Sequence, residues 1–572
     1  MIIIKGVPAS PGIAIGRAYV LEDEEIVVSR QEISPERVRS EVKRFKQALE
    51  RTHLDLDAAE ARVLRTLGKE HAKLIDAHRL ILKDPLITKE VTQRILQERV
   101  NAEFALSETL ERVNQAFEKI EDEFFRDRRH DLFDVGKRLL EHLLRKERKP
   151  LSALREPAIL IARNLLPSDT LHLREARVLG FATDLGGKTS HTALLAQSLE
   201  IPAVVGLSDA SHQVKPGDMV ILDGNQGLVI ISPGPEALQR YEKAQVKEKK
   251  EERALEVLRG LPCETADGKR VELLANLDTL EDARTIGALQ PDGIGLFRTE
   301  FLYLNRTSAP EEEEQVEVYS RVVESLSSLP VIIRTADIGG DRLSDLGLEG
   351  PKEETNPFMG LRGIRLFLRY PELFKTQLRA ILRAAIKGRV KILLPMVSSV
   401  GELKSARRLL TQAQAELVQE GHVFESPVEM GMMVEIPAAI LLLDFMLEEI
   451  DFVSLGTNDL IQYLLAVDRV NEHVSHLYDP FHPAVLRVLH MTVEAVHKKG
   501  RWVSVCGEMA SDPRAVPLLL GVGVDAFSVS PRMFLKIKQT LRTLKAAEVQ
   551  SLFQRALVQP TSEEVHRLLD ER

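Results

Sequence analysis

The chain has 572 residues, of which 44% are hydrophobic and 28% are charged, and its formal net charge at pH 7 is −9. This length predicts roughly two to four folded domains, and the mildly acidic balance argues against general binding to nucleic acids or anionic membranes. Cys263 and Cys506 are too few for a disulfide framework, and the apolar runs are too short for a signal peptide or membrane insertion, so we expect a cytoplasmic protein.

The first predicted domain is interrupted in sequence. Residues 1–32 begin with a Pro/Gly-rich stretch and continue as a strand-like alternation, and an α/β pattern returns in residues 147–233. Between these two stretches, apolar residues recur at helical spacing. Helix starts are predicted at Ser34-Pro35, Asp84-Pro85 and Asn101. We therefore predict that residues 33–146 form a helical bundle inserted into an α/β domain.

A hairpin and a charged helix complete this part of the chain. Val220–Asp223 and Leu228–Ser232 flank Gly224-Asn225-Gln226-Gly227, a turn sequence that predicts a β-hairpin. A charged helix is predicted over residues 237–258, and Gly260-Leu261-Pro262 follows it. Residues 234–260 are therefore predicted to link two domains.

Beyond the linker, short apolar segments alternate with segments of helical potential. The strand candidates are Val271–Leu277, Gly293–Phe297, Val331–Ile333, Lys391–Pro395, Gly431–Val434, Phe452–Leu455, Trp502–Val505 and Ala526–Val529. This succession of strand–helix units predicts a (β/α)₈ barrel over residues 261–572. The predicted fold class is multidomain α/β, with a C-terminal TIM-type barrel.

A histidine lies at the start of a predicted helix in the α/β domain. In Gly186-Gly187-Lys188-Thr189-Ser190-His191-Thr192 the glycines permit a turn, and Thr189 or Ser190 can cap the helix. His191 would then lie among free backbone N–H groups at the positive end of the helix dipole. This environment suits a neutral, nucleophilic imidazole that accepts a phosphoryl group. Taken alone, however, a single histidine beside a glycine turn is more often an ordinary surface residue.

Arginines follow several of the predicted barrel strands, where barrels of this type place their chemistry. Arg298 and Arg334 each end a strand, and Arg362 and Arg365 lie in the long insertion after the third strand. Guanidinium groups can bind the phosphate and the carboxylate of a small anion bidentately. Ordinary surface salt bridges are the alternative and account for most arginines of the chain.

Two carboxylates and a thiol follow later strands. Glu435 and Asp459 end consecutive strands and should be neighbours, and their oxygen atoms suit Mg²⁺, or Mn²⁺ as a substitute. Either carboxylate alone could instead cap a helix. Cys506 follows Trp502–Val505 and is either a buried structural cysteine or a proton donor to an enolate carbon.

These segments resemble one known family. The run from Gly186 to Thr192, with Ile201–Gly206 after it, resembles the phosphohistidine signature of the phosphoenolpyruvate-utilising enzymes, although Lys188 stands where many members have Arg. The barrel segments resemble the phosphoenolpyruvate-binding barrel of the same family. The resemblance implies that His191 is the phosphorylated nucleophile and that Thr170 could hydrogen-bond it. It also implies phosphoenolpyruvate binding by Arg298, Arg334, Asn458, Arg469 and Arg362, Mg²⁺ binding by Glu435 and Asp459, and proton donation by Cys506.

Within the family, the chain resembles the enzyme I members of the bacterial phosphotransferase system. No glycine-rich nucleotide loop precedes His191, which argues against the ATP-dependent members, and the segment Gly6–Ala14 is similar to the start of enzyme I. The resemblance implies phosphoryl transfer from phosphoenolpyruvate to His191, release of pyruvate, and transfer to a histidine of the carrier protein HPr. It further implies a swivelling phosphohistidine domain and a homodimer formed through the barrel. We expect HPr to dock on residues 33–146, because docking would explain the insertion.

Two alternatives remain. The barrel alone would suit a Mg²⁺-dependent carbon–carbon lyase, because aldolases also stabilise enolates with a metal and arginines, but a lyase would not need the His191 segment. Alternatively, the chain could be a regulatory protein that binds phosphoenolpyruvate without turnover. Phosphorylation of a carrier protein would distinguish the predicted enzyme from both.

Overall fold

The protein is represented by a computed structural model. It describes residues 1–21, 28–66, 79, 81–82, 84–118, 135–144, 156–163, 165, 177–186, 196, 201–278, 280–303, 306, 308–326, 329–339, 346, 354, 356–469, 471 and 473–571. The chain divides into two compact units, Met1–Lys250 and Glu251–Arg572. The predicted charged helix is present as Pro235–Glu256 and spans this division.

The first unit contains an eight-stranded mixed sheet. Its strands are β1 (Ile2–Lys5), β2 (Val7–Ser10), β3 (Ile13–Leu21), β4 (Ala158–Ala162), β5 (Val178–Thr183), β6 (Ala203–Val205), β7 (Met219–Asp223) and β8 (Leu228–Ile231), in the order β1-β8-β7-β3-β4-β5-β6-β2. Strands β3 to β6 are parallel, and β7 and β8 form the predicted antiparallel hairpin. Because β4 is central and buried along its whole length, its sequence is a continuous apolar run.

The same unit contains the predicted helices between β3 and β4. They are Val38–Thr66, Pro85–Glu98, Ala102–Glu118 and residues 135–144, and a further short helix, Ala210–Gln213, lies before β7. The predicted starts at Asp84-Pro85 and Asn101 are confirmed. The first helix, however, begins at Val38 and not at Ser34-Pro35, because residues 35–37 form a turn in which the Arg37 N–H donates to the Ser34 carbonyl at 2.9 Å. The buried core of these helices includes Phe45, Val91, Ile95, Leu106 and Leu139.

The second unit is a closed barrel of parallel strands, as predicted. The strands are β9 (Glu272–Leu277), β10 (Ile294–Phe297), β11 (Val331–Arg334), β12 (Val390–Leu394), β13 (Glu429–Val434), β14 (Phe452–Leu455), β15 (Trp502–Val505) and β16 (Ala526–Val529). Strand β9 pairs with both β10 and β16, which closes the barrel. Each strand begins and ends within two residues of its predicted segment.

Helices follow the strands of the barrel along the chain. They are Leu280–Leu289, Glu312–Ser325, Ile364–Arg369, Pro371–Ala384, Val400–Gln419, Pro437–Leu441, Leu443–Met446, Thr457–Leu465, Pro483–Lys498, Val516–Val522, Phe534–Thr543, Ala546–Leu557 and Ser562–Asp570. Their apolar faces and the outward faces of the strands share one hydrophobic core. Within the described ranges, no helix combines the length and the apolar character needed to cross a membrane.

The barrel interior is filled from the N-terminal ends of its strands. Phe452 and Trp502 stack there with ring centroids 5.0 Å apart, and Lys391 Nζ lies 4.7 Å from the centroid of the Trp502 ring. These aromatic rings belong to a buried interior cluster with Leu296, Ile332, Leu393, Met433 and Cys506. Space for a ligand therefore lies at the opposite, C-terminal ends of the strands.

Candidate active site at the barrel mouth

A cavity of about 330 Å³ lies at the C-terminal ends of the barrel strands. Its lining consists of Leu296, Arg298, Arg334, Asp337, Arg362, Met433, Glu435, Gly456, Asn458, Asp459, Arg469, Cys506, Gly507 and Glu508. The lining thus brings four guanidinium groups and four carboxyl groups around a space of small-molecule size. Such a cavity suits a small, highly charged ligand.

The alternation of side chains along each strand explains how these residues reach the cavity. Successive side chains of a strand point to opposite faces, so every second residue points into the barrel. Trp502 at the floor and Cys506 at the mouth therefore lie on the same face of β15 and its extension. Met433 and Glu435 share the inward face of β13 and its extension in the same way.

Arg334, the last residue of β11, is held by acidic groups. Its Nη2 donates to Glu300 Oε1 at 2.9 Å, and its Nη1 lies 3.8 Å from Asp337 Oδ2. Glu300 Oε1 also accepts the Asp337 backbone N–H at 2.6 Å. Burial alone would lower the pKa of Arg334, but the charges of Glu300, Asp337 and Glu435 outweigh burial and raise the pKa. The guanidinium is therefore fixed in place and stays cationic.

Arg362 forms a bidentate pair with Asp337 in the cavity wall. Its Nε and Nη2 donate to Asp337 Oδ1 and Oδ2 at 3.0 and 2.6 Å, and its Nη2 lies 3.3 Å from Asp459 Oδ2. Burial would raise the pKa of Asp337, but the hydrogen bonds from Arg362 and the charge of Arg334 lower it. The chain turns after this arginine at Gly363, whose φ of +57° is unstrained only for glycine.

Glu435 is a buried carboxyl group that forms no direct salt bridge within the described residues. It directly follows β13, is 1% exposed, and its Oε1 accepts the Met396 backbone N–H at 2.6 Å. Burial and the nearby carboxylates Asp337 and Asp459 raise the pKa of Glu435, although Arg334 opposes them. A bound cation would lower the cost of ionising this group.

Asp459 lies in the first turn of the helix Thr457–Leu465 and is also buried. Its Oδ1 accepts no hydrogen bond from the residues described, although Arg469 Nη2 lies 3.5 Å away. Together with Glu435, it offers the carboxylate oxygens that hard divalent cations prefer. Among the described residues, no group of three or more His, Cys, Asp or Glu could hold a metal ion. These residues fit a cation that is bound by two carboxylates and completes its coordination with ligand or water oxygens.

Asn458, in the first turn of the helix Thr457–Leu465, connects that turn to the segment after β15. Its Nδ2 donates to Glu508 Oε1 at 3.1 Å, and its Oδ1 accepts the Glu508 backbone N–H at 2.8 Å. Gly507 permits this close approach, because a Cβ there would lie 2.0 Å from Thr457 Oγ1. The segment that carries Cys506 is thereby fixed against the first turn of the helix that carries Asn458.

Cys506 presents a buried thiol at the base of the cavity. It is 2% exposed, its Sγ lies 3.2 Å from Ser454 Oγ, and it donates to the Leu455 carbonyl at 3.5 Å. Burial raises the pKa of this thiol. The group therefore retains its proton at neutral pH, as a proton donor must.

The other predicted site residues lie in different places. Arg298 is at the rim, where its Nη1 donates to Asp278 Oδ1 at 3.0 Å. Arg365 is not among the lining residues, since its Nη1 donates to the carbonyls of Met359 and Gly360 at 3.2 and 3.3 Å. His191 and Thr170 lie outside the described residues.

Three acidic residues of the site were not singled out from the sequence. Asp337 follows the end of β11 by three residues. Arg334 was identified by its position at the end of this strand, and the same criterion could have included Asp337. Glu508 follows Cys506 by two residues and could have been found similarly. Glu300 contacts Arg334 from a different loop, and nothing in the sequence pairs the two.

Three family models match the chain in succession. They are described as the N-terminal domain, the mobile domain and the PEP-binding domain of PEP-utilising enzymes, and they match residues 5–128, 154–227 and 252–546. The last of these matches covers the barrel strands and the residues that line the cavity.

Curated relatives are similar over nearly the whole chain. The phosphoenolpyruvate-protein phosphotransferase of Listeria innocua serovar 6a is 43% identical over 567 residues, which are 99% of this chain and 98% of the relative. That of Bacillus subtilis strain 168 is 42% identical over 562 residues, 98% of each chain. An NMR structure of an Enzyme I protein is 41% identical and covers 43% of this chain and 99% of its own, with a TM-score of 0.38.

Proposed function

The chain belongs to the family of phosphoenolpyruvate-protein phosphotransferases, and we propose that its barrel cavity binds phosphoenolpyruvate while His191 accepts the phosphoryl group. Pyruvate is then released, and phospho-His191 passes the phosphoryl group to a histidine of the carrier protein HPr. The observation that carries this proposal is the cavity itself, where four arginines, the carboxyl groups of Glu435 and Asp459 and the buried thiol of Cys506 converge. These groups are chemically complementary to a phosphorylated enol that also has a carboxylate.

The arginines bind the two anionic groups of the substrate. Arg298, Arg334, Arg362 and Arg469 line the cavity, and Asn458 adds an amide beside them. Arg334 lies in this lining, and its buried Nε has no hydrogen-bond partner within the described residues, which leaves one donor of the guanidinium unused. Positioned guanidinium groups also stabilise the charge of a phosphoryl group in transfer.

Cys506 completes the reaction of the organic fragment. When the phosphorus–oxygen bond of phosphoenolpyruvate breaks, the enolate of pyruvate remains in the cavity. Its methylene carbon takes the thiol proton of Cys506, the S–H electron pair stays on sulfur, and pyruvate forms. The raised pKa of the buried thiol supports this role, because the proton is present at the start of the step.

Glu435 and Asp459 hold Mg²⁺, or Mn²⁺ as a substitute. The raised pKa of Glu435 and the Asp459 oxygen without a hydrogen bond support this assignment. When bound there, the metal would supply positive charge that offsets the negative charge of the substrate. The arginines alone leave little surplus charge, because the lining has as many carboxyl groups as guanidinium groups.

The remaining assignments rest on the family and on the sequence. His191 forms a bond to phosphorus as the enolate leaves, and Thr170 hydrogen-bonds His191. HPr docks on residues 33–146, so substitutions of surface residues there should slow HPr phosphorylation but leave self-phosphorylation unchanged. Two copies of the chain associate through their barrels.

A labelling experiment tests the central proposal. The purified protein and a His191→Ala variant are incubated with Mg²⁺ and phosphoenolpyruvate labelled on phosphorus. We expect acid-labile, alkali-stable label on the wild type alone, together with one pyruvate for each phosphoryl group bound. Subsequent addition of HPr should remove the label from the wild type.

The other possible results identify the alternative functions. A folded wild type that binds phosphoenolpyruvate but takes no label would be a sensor without turnover. Cleavage of a carbon–carbon bond would instead identify a lyase. Label on His191→Ala would exclude His191 as the acceptor.

A further inference from the structure

The contact between Ser454 and Cys506 has no role in the mechanism above. Ser454 lies in β14, is fully buried, and its Oγ is 3.2 Å from Cys506 Sγ. The Cys506 thiol can itself donate to the Leu455 carbonyl at 3.5 Å, which leaves its sulfur as the acceptor for the Ser454 hydroxyl. The two side chains thus form one chain of hydrogen bonds beneath the cavity.

Strand register places these groups where they can act together. Strands β14 and β15 are parallel neighbours, with Ser454 opposite Ser504 and Leu455 opposite Val505. Cys506 is the next inward-facing residue after Ser504, so it lies one step above Ser454 on the adjoining strand. The backbone at Cys506 is also held, since its N–H donates to the Leu455 carbonyl at 3.1 Å.

The chemistry proposed for Cys506 makes a hydrogen bond to its sulfur useful. Once the proton has moved to the methylene carbon, the sulfur carries the negative charge in a site that is 2% exposed. An anion in such a site is costly unless donors face it. Arg334 and Arg298 lower the cost through their charge and Glu435 raises it, whereas Ser454 supplies a direct side-chain hydrogen bond to the thiol.

We propose that Ser454 is a positioning residue for proton transfer, which aims the Cys506 thiol at the cavity and donates a hydrogen bond to its sulfur as the proton leaves. This inference rests on the proposed function and names a residue that supports its second step. The hydroxyl keeps its own proton throughout, so the proton that reaches pyruvate comes from sulfur.

The test compares Ser454→Ala with Ser504→Ala. Ser504 is a matched control because it is fully buried, lies opposite Ser454 on the next strand, and has no hydrogen-bond partner for its hydroxyl within the described part of the chain. Two measurements are made on each full-length protein. The first is the rate of pyruvate formation in a single turnover, and the second is the pH dependence of Cys506 alkylation by iodoacetamide, with Cys263 as an internal reference.

We expect Ser454→Ala to slow pyruvate formation about tenfold or more. The midpoint of Cys506 alkylation should also move upward by about one pH unit, because a hydrogen bond to a charged group is lost. Ser504→Ala should stay within about twofold of the wild type on both measurements. Unchanged pyruvate formation and alkylation in Ser454→Ala would overturn the inference. Equal effects in both variants would also overturn it, because they would indicate a general packing defect.

A third result separates this inference from the proposed function. If the wild type takes label from phosphoenolpyruvate and Ser454→Ala behaves as the wild type does, only the role of Ser454 is rejected. If the wild type takes no label, the proposed function fails and the role of Ser454 in proton transfer fails with it. The alkylation profiles then still show whether the hydroxyl contacts the thiol in solution.

Discussion

Arg362 and Arg365 lie on one short segment, but their guanidinium groups have different surroundings. Arg362 lines the cavity and donates to both oxygens of Asp337, whereas Arg365 donates to two backbone carbonyls. Lysine keeps the positive charge but lacks the planar fork that such a bidentate pair needs. We expect Arg362→Lys to raise KM for phosphoenolpyruvate about tenfold or more, since a hydrogen bond to a charged group is lost.

Arg365→Lys is the matched control for this prediction. It should change KM by less than about twofold, as is usual for a residue outside the site. Steady-state phosphorylation of HPr at varied phosphoenolpyruvate concentration measures both variants. Similar KM values for Arg362→Lys and the wild type would contradict the assignment of Arg362 to substrate binding.

Glu435 has an electrostatic cost in the folded protein that a cation would remove. The pKa of Glu435 is higher in the folded protein than in the unfolded chain. The protonated group therefore stabilises the folded protein below the ordinary carboxyl pKa, and this contribution is lost as the pH rises through the pKa of the folded protein. Glu435→Gln removes the charge at similar shape. Without divalent metal, we expect this variant to unfold at a higher temperature than the wild type at alkaline pH, and the difference to shrink as the pH falls.

Thermal unfolding with and without Mg²⁺ completes this experiment. Mg²⁺ should raise the unfolding temperature of the wild type but not that of Glu435→Gln, because the variant lacks a charged ligand. Glu429→Gln, at the exposed start of the same strand, should not be stabilised at alkaline pH, and Mg²⁺ should raise its unfolding temperature as much as that of the wild type. Equal stabilisation of Glu435→Gln and the wild type by Mg²⁺ would exclude Glu435 as a ligand.

At the scale of elements, the helix Pro371–Ala384 supports the strand ends proposed to bind the substrate, through one buried amide. Gln377 Nε2 donates to Thr299 Oγ1 at 3.0 Å and to the Tyr319 hydroxyl at 2.9 Å, and its Oε1 accepts the Ala336 N–H at 3.1 Å. Thr299 Oγ1 in turn donates to the Arg334 carbonyl at 2.8 Å. The loops after β10 and β11 are therefore held in position from outside the barrel.

Gln377→Met is expected to disturb these loops without creating a cavity. The unpaired polar groups should lower the free energy of unfolding by about 1–3 kcal/mol, and a loosened Arg334 should raise KM for phosphoenolpyruvate more than it lowers kcat. Denaturant unfolding and steady-state kinetics measure the two effects. Gln412→Met, at an exposed position on the neighbouring helix Val400–Gln419, should change neither. Equal kcat and KM effects in Gln377→Met would contradict a positioning role.

The barrel strands and the residues at their ends could be predicted from the sequence for a physical reason. Parallel strands are buried on both faces, so each of them is an apolar segment that the sequence displays directly. The residue at the end of such a strand must lie at the barrel mouth, which is why Arg334, Glu435 and Cys506 were found. Gln377 and Ser454 could not be predicted, because their roles depend on hydrogen bonds to side chains that are distant in the sequence. The start of the first helix was placed too early, because Ser34-Pro35 begins a turn and the helix only follows it.

At the scale of the whole molecule, the two units have separate hydrophobic cores. One set of buried clusters, around residues such as Phe45, Phe181 and Ile159, belongs to residues 1–250. Another, around the barrel strands, belongs to residues 251–572. Separate cores predict separate cooperative transitions, so we expect at least two transitions when the full-length protein is unfolded by heat in a calorimeter.

Ligand addition should distinguish these transitions, because a ligand stabilises only the unit that binds it. The cavity proposed to bind phosphoenolpyruvate lies within residues 251–572. Phosphoenolpyruvate with Mg²⁺ should therefore stabilise that unit by about 2.7 kcal/mol at about 100 times Kd and leave the other transition in place. Conservative core variants identify the transitions. Ile159→Val should lower one of them and Ile381→Val the other, each at a cost of about 0.5–1.5 kcal/mol. Two results would contradict independent units. One is a ligand-induced rise in the temperature of the transition that Ile159→Val lowers, and the other is a single transition that all these changes move together. In either case, stability gained at the barrel would be shared with the domain that carries His191.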